Sequence, residues 1–335
     1  LNKLTEKPAA KIRVLSGMRP TGPLHIGHLL GALQNWKALQ DTRECYFMVA
    51  DLHALMSEYE KPENLRAYTE EMILDMLSCG IRPENIFIQS RIPEHAELAL
   101  ILGILTPLGW LERNPTYKEQ LREIKGRDLT TYGFLGYPVL QAADILLYKA
   151  GEVPVGEDQL AHLELTREIT RRFNSLYKRE IFPEPKALLT KEARILGTDR
   201  RKMSKSYGNA INLSDDEATV RKKVQSMITD PARIRATDPG HPDECNVYSY
   251  NKIFSDEQQA RQCFNWCVNA KKGCTECKQI FAGILVEKLM PIRERRADLV
   301  SKKMSPEEMI REGQERAGET ARRTLSEVKR LLHLA

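Results

Sequence analysis

The sequence predicts an α/β fold, a doubly wound parallel sheet followed by an all-helical C-terminal region. Three observations predict it. Apolar runs of strand length recur in the first ninety residues, "RVLSG" at 13–17, "CYFMVAD" at 45–51 and "NIFIQS" at 85–90, each followed by helix-patterned sequence. A further run, "VPVG" at 153–156, sits between two long helical stretches. From about residue 214 onward the pattern is helical throughout. Strand and helix in alternation form βαβ units, whose sheets are parallel and bind ligands outside the carboxyl ends of their strands.

The elements follow in order. Helix is predicted over 25–40 and over 62–79, the second opened by a Pro-Glu pair and closed by Cys79-Gly80. Residues 94–108 are again helical, as are 117–126 and 138–149. The strand at 153–156 leads to a helix over 158–177, and "RILG" at 194–197 reads as a late strand before a basic loop. Helices then cover 214–228, 255–271, 275–300 and 305–333, with a coarse boundary near 210. No repeat or low-complexity tract interrupts them. The opening "LNKLTEKPAAK" (1–11) is a polar lead-in without the apolar core of a secretion signal, and no apolar run approaches the roughly 18 residues that span a bilayer. The cytoplasm is the expected compartment.

The chain has 335 residues, 41% hydrophobic and 29% charged, as a soluble globular protein of two domains would. A net charge of +5 admits a nucleic-acid partner without requiring one. Basic groups "KK", "RERR", "KK" and "ARR" collect in the C-terminal third; a solvated helix face explains them as well as an RNA partner does.

Two stretches carry chemistry. "SGMRPTGPLHIGHLLGAL" (16–33) is a strand-to-helix turn, and a helix N-terminus suits phosphate. Gly22 and Gly27 leave room for a nucleotide, and His25 and His28 share one side of the first helical turn, where imidazole donors can stabilise charge growing on a phosphoryl group. The plain alternative is a surface loop with incidental histidines. "DRRKMSKSYGN" (199–209) places Lys202 and Lys205 three apart, point charges suited to β- and γ-phosphates, though alone it reads as a solvated basic loop.

Together, "HIGH" at 25–28 and "KMSKS" at 202–206 on a parallel α/β sheet resemble the paired signature of the class I aminoacyl-tRNA synthetases. The block "YPVLQAADILLYKAGEVPVGEDQLAHLELTREI" (137–169) resembles the bacterial tryptophanyl branch rather than the tyrosyl one, and the likeness runs from about residue 12 to the C-terminus. It implies a Rossmann-like catalytic domain with a connective insertion over 12–210 and a helical anticodon-binding domain over 211–330. It implies ATP-dependent activation of L-tryptophan and transfer to tRNA(Trp), with Mg2+, by a homodimer that engages neither DNA nor membrane. By the same resemblance His25, His28, Lys202 and Lys205 stabilise the departing charge, and Lys118 reaches the ATP phosphates. Arg19, Pro20, Thr21, Gly27, Gly156, Glu157, Asp158, Ile195, Met203, Ser204 and Ser206 adjoin ATP. Ser16, His53, Tyr137, Gln141, Asp144, Val153, Val155 and Gln159 adjoin tryptophan. Arg19 stands where one branch of the family has Gln, adding a cation near the phosphates.

The residues agree with that reading at one position in particular. An indole offers one N–H donor and a large apolar face. Asp144, flanked by Ala142, Ala143, Ile145 and Leu146, is a carboxylate acceptor in apolar sequence; the alternative is a helix-surface Asp in a salt bridge. Rival functions are a tyrosyl-tRNA synthetase, an inactive RNA-binding or redox-sensing homologue, and a small-molecule nucleotidyltransferase.

Of seven cysteines, Cys45 and Cys79 lie in apolar surroundings and five crowd into 245–277. Cys245, Cys267, Cys274 and Cys277 are spaced C-x21-C-x6-C-x2-C, which suits a cluster or a tetrahedral metal. The spacing resembles that of an iron–sulfur-containing subset of tryptophanyl enzymes, one residue short in the long spacer. A [4Fe–4S] cluster, structural Zn2+ and free thiols are the alternatives, with Cys263 as a spare ligand.

Overall fold

The computed structural model describes residues 11–114, 130–189 and 195–334. Strand β1 (Arg13–Met18) enters α1, a continuous helix made of Ile26–His28, a π-wound turn Leu29–Leu33 and Gln34–Leu39. Strand β2 (Glu44–Val49) leads to α2 (Asp51–Glu58) and α3 (Leu65–Ser78). Strand β3 (Ile86–Ile88) leads to α4 (Glu94–Leu105), and α5 (Tyr132–Leu147) precedes β4 (Glu152–Val155). Helix α6 (Leu160–Leu176) and strand β5 (Lys186–Leu189) complete the sheet. Its order is β3-β2-β1-β4-β5, with every pairing parallel.

The centre of the sheet explains the core. Successive side chains of a strand face opposite ways. In β2, Cys45, Phe47 and Val49 join one cluster with Leu24, Trp36, Met72, Ile211, Tyr250 and Phe281. Tyr46 and Met48 face the other cluster, with Phe87, Leu102, Ala143, Phe173 and Ala321. Both faces of β2 are therefore buried, and its sequence runs apolar without alternation, as in a covered parallel sheet.

The remaining labelled elements are helices: α7 (Glu217–Gln225), α8 (Asn246–Phe254), α9 (Glu257–Val268), α10 (Cys274–Ser301) and α11 (Arg311–Leu331). Helix α11 returns to the sheet and closes its open edge. The Gln314 side chain accepts from Ile88 N at 2.8 Å and donates to Ile88 O at 3.3 Å, so the unpaired backbone of edge strand β3 finds a partner. Gly313 makes this approach possible, because a Cβ there would stand 2.2 Å from Ile86 O.

The sequence reading departs from the structure in particular places. "RILG" is no strand: in its described part Leu196 forms only an isolated bridge with Lys202. Its backbone instead serves as a strut, with Leu196 O accepting from Tyr250 Oη and Gly197 O from Asn246 Nδ2. The fifth strand is "KALL", an edge strand too short and too evenly half-exposed to show a pattern. Helices α2 and α8 were not separately foreseen. The predicted helix at 117–126 lies outside the described residues.

Candidate active site

The candidate residues gather at the carboxyl edge of the sheet, where β1 passes into the 19–24 turn, β2 into α2, β3 into the Gln89–Arg91 turn and β4 into Gly156. Gly22 turns the chain with φ at +122°, a conformation that costs a side chain dearly. His25 then caps α1. Its Nδ1 accepts from Gly27 N at 3.1 Å, and His28 Nδ1 accepts from His25 N at 3.1 Å, a reciprocal cap made of two imidazoles. Gly27 is needed because a Cβ would meet the His25 ring at 2.9 Å.

This corrects the expectation that open N–H groups of the helix would receive phosphate: two of them are taken by the histidines. Burial, helped by the Lys205 charge, pushes His25 down to about 4; burial, then His25 and Lys205, push His28 down to about 2. Both rings are neutral at pH 7, and each Nδ1 is an acceptor, so each proton sits on Nε2. The paired imidazoles, 3.8 Å apart between centroids, thus present fixed Nε2–H donors.

The basic loop is fastened to this turn. Ile26 N donates to Ile211 O at 3.0 Å and Leu213 N to Leu24 O at 2.8 Å. Asn209 holds the loop from within: its Oδ1 accepts from Ser204 N at 2.8 Å and its Nδ2 donates to Asp199 Oδ1 at 2.7 Å and Lys202 O at 3.2 Å. Met203 is buried in the core. Lys205 Nζ donates to Gly22 O at 2.7 Å, and burial lowers its ammonium to about 8, with Asp75 opposing. Lys202 is exposed. Beneath the turn lies Asp75 of α3, fully buried, accepting from Leu24 N at 2.8 Å and from Arg296 Nη1 of α10 at 2.7 Å.

The second half of the site surrounds Asp144 on α5. Its carboxylate is 1% exposed. His53 Nε2 lies 2.7 Å from Oδ2; His95 Nδ1 and Gln89 Nε2 lie 2.6 and 2.8 Å from Oδ1. Burial by itself would raise this acid, but the hydrogen bonds from His53 and His95 reverse that and hold it at about 2. Gln89 Oε1 is buried with no hydrogen-bond partner among the described residues. Tyr137 meets His53 edge-on at 6.5 Å and bonds His162 Nε2 at 2.8 Å. Burial raises the Tyr137 phenol, and the Arg19 charge opposes it.

Val153 and Val155 are buried on β4, while Ser16, Gln141, Gly156 and Gln159 are half-buried. Pro20 and Ile195 are buried, Thr21 half-buried and Glu157 exposed. Lys118 and the side chains of Asp158 and Ser206 lie outside the described residues. Sequence reasoning missed Gln89, His95, Tyr148 and Asp75.

The cysteines bear on one another electrostatically: the Cys277 neighbour raises the Cys263 thiol, Cys263 lowers that of Cys277, and burial, then Cys245 and Cys274, raise Cys267. The donor set suits iron–sulfur or zinc in kind, yet among the described residues no group of three or more His, Cys, Asp or Glu is arranged to hold a metal ion. No described helix is long and apolar enough to cross a membrane.

The family description "tRNA synthetases class I (W and Y)" matches residues 7–289, and the chain belongs to that class of enzymes. It is 49% identical to a tryptophan–tRNA ligase of Thermotoga maritima over 96% of this chain and 99% of that one, and 43% identical to one of Aquifex aeolicus over 96% and 100%. A crystal structure of tryptophanyl-tRNA synthetase from Campylobacter jejuni, complexed with ADP and tryptophan, superposes with a TM-score of 0.86 at 32% identity, covering 96% of this chain and all of that one. Within its class, the chain belongs to the tryptophan–tRNA ligase family.

Proposed function

We propose that the chain activates L-tryptophan with ATP and transfers it to tRNA(Trp). A tryptophan carboxylate oxygen attacks the α-phosphorus, an O–P bond forms, and the bond to the bridging oxygen breaks to release pyrophosphate. The terminal 2′-hydroxyl of tRNA then attacks the activated carbonyl and AMP leaves. The enzyme's part is placement and charge stabilisation. His25 and His28 aim neutral Nε2–H donors at the triphosphate, and Lys202 and Lys205 neutralise the departing pyrophosphate. Mg2+ entering with the nucleotide would supply further neutralisation of the phosphates.

The observation that carries the amino-acid assignment is the Asp144 carboxylate. It is ionised and enclosed, and among the described residues one acceptor position is left on Oδ2 for an indole N–H. The helical region after residue 210 reads the anticodon through phosphate contacts and unstacked bases. Exposed Leu100, Ile104, Leu108 and Tyr132 form the apolar face of a homodimer. Cys245, Cys267, Cys274 and Cys277 are the residues that would hold a [4Fe–4S] cluster, or Zn2+ in the alternative, although among the described residues they are not arranged to hold a metal ion; iron and sulfide analysis decides, and zinc alone overturns the cluster.

Pyrophosphate exchange measured with each of the twenty amino acids tests the main reading. Exchange dependent on tryptophan is expected; exchange with tyrosine instead, or with none, overturns it. Lys205→Ala is expected to slow exchange far more than it weakens tryptophan binding.

A further inference from the structure

An ionised carboxylate has about four acceptor positions, two on each oxygen. At Asp144, Oδ1 is filled by His95 and Gln89, while His53 takes one position on Oδ2. What fills Oδ1 therefore decides which position is left for a ligand. His95 does so from complete burial, with no exposed surface. Behind it, His95 Nε2 lies 2.9 Å from Tyr148 Oη. Burial holds the Tyr148 phenol well above its ordinary range, so it keeps its proton. That proton donated to Nε2 leaves Nδ1 as the protonated nitrogen, aimed at Oδ1. Both rings sit among aromatic neighbours: Phe87 stacks on His95 at 5.9 Å and lies 5.1 Å from Tyr148, and Tyr46 lies 4.7 Å from Tyr148.

We propose that His95, backed by Tyr148, is a positioning residue for amino-acid selection: it occupies Oδ1, fixes the carboxylate plane and leaves Oδ2 to read the ring N–H of the substrate. The inference rests on the reading that Asp144 takes the indole N–H. It predicts that the Tyr148–His95 pair acts on the choice between an aromatic amino acid with a ring N–H and one without.

The test is pyrophosphate exchange with tryptophan and with β-(3-benzothienyl)alanine, in which sulfur replaces the ring N–H at nearly the same size. The unaltered enzyme is expected to prefer tryptophan by about 100-fold or more in kcat/KM. His95→Ala lowers that preference about tenfold, mostly through tryptophan, while His95→Asn, whose amide N–H stands where Nδ1–H stood, restores most of it. Tyr148→Phe keeps the packing and lowers the preference by about threefold, which reads the relay even where the alanine variant does not fold. Equal losses on both substrates, or an unchanged ratio in Tyr148→Phe and His95→Asn alike with no deficit in His95→Ala, overturn the inference alone. An unaltered enzyme with no preference overturns the Asp144 reading and this inference with it.

Discussion

Asp144 and Asp75 are both carboxylates with almost no exposed surface, one in each half of the catalytic edge, and the chain treats them oppositely. Asp144 receives three side-chain donors and is held at about 2, far on the ionised side of neutrality. Asp75 receives Leu24 N and Arg296, but Arg296 also bonds Glu71 at 2.7 Å, so its charge is divided. Burial dominates there and pushes Asp75 up to about 7, with Leu24, Arg296 and Lys205 pulling down and Glu71 pushing up. Burial sets the cost, and the number and kind of donors decides its outcome. On the proposed assignment the amino-acid half, around Asp144, is a fixed acceptor at any ordinary pH. The proposed nucleotide half hangs from a carboxyl that titrates near neutrality and ties the turn before His25 to the long helix α10.

The largest effect that would break this contrast falls on the fixed half. Asp144→Ala is expected to lower kcat/KM for tryptophan about a thousandfold in pyrophosphate exchange, because both the acceptor and the partner of two imidazoles are lost. Next comes the nucleotide half. His28→Ala removes a donor that acts as charge develops, so kcat should fall about a hundredfold while the tryptophan KM stays nearly unchanged. Asp75→Asn should lower kcat about tenfold, since the neutral amide holds Leu24 N–H and Arg296 less firmly. Loss of tryptophan binding in that variant would break the division into two halves.

The smallest effect is the sharpest comparison. Asp75 keeps a proton on folding that the unfolded chain releases above about pH 4. Its stabilising share is full below that value and is lost as pH rises through about 7. The thermal midpoint of Asp75→Asn should therefore gain on the unaltered enzyme as pH climbs from 4 to 7, by a few degrees. Asp144 has the opposite sign: its share is present above about pH 4 and lost as pH falls through about 2. The midpoint difference for Asp144→Asn should be flat from pH 4 to 8. A sloping difference there would contradict the account of its donors.

What the sequence disclosed, and what it hid, follows the same physics. The strand-helix alternation and the HIGH and KMSKS stretches are local patterns, and the sheet and the paired histidines follow from them. Asp144 stood out as an acid in the apolar run "AADILL". Asp75 carries the same signal in "MILDML", but it lies within the helix predicted over 62–79 and draws no notice there. His95 and Gln89 gave no such signal. Gln89 reads as the end of the strand "NIFIQS" and His95 as an ordinary helix start, and their role depends on β3 and α4 meeting α5, a tertiary fact. The reciprocal imidazole cap was likewise invisible, because spacing cannot say which ring nitrogen faces the backbone. Strand β5 was missed for want of alternation, and "RILG" reads as a strand because a short apolar pair does not reveal whether it finds a strand partner.

A crystal structure of the enzyme with bound tryptophan tests the central claim most directly. The account predicts the indole nitrogen within about 3.2 Å of Asp144 Oδ2, with His95 and Gln89 still on Oδ1. An indole nitrogen bonded to any other group, with Asp144 keeping only its three protein donors, would contradict it.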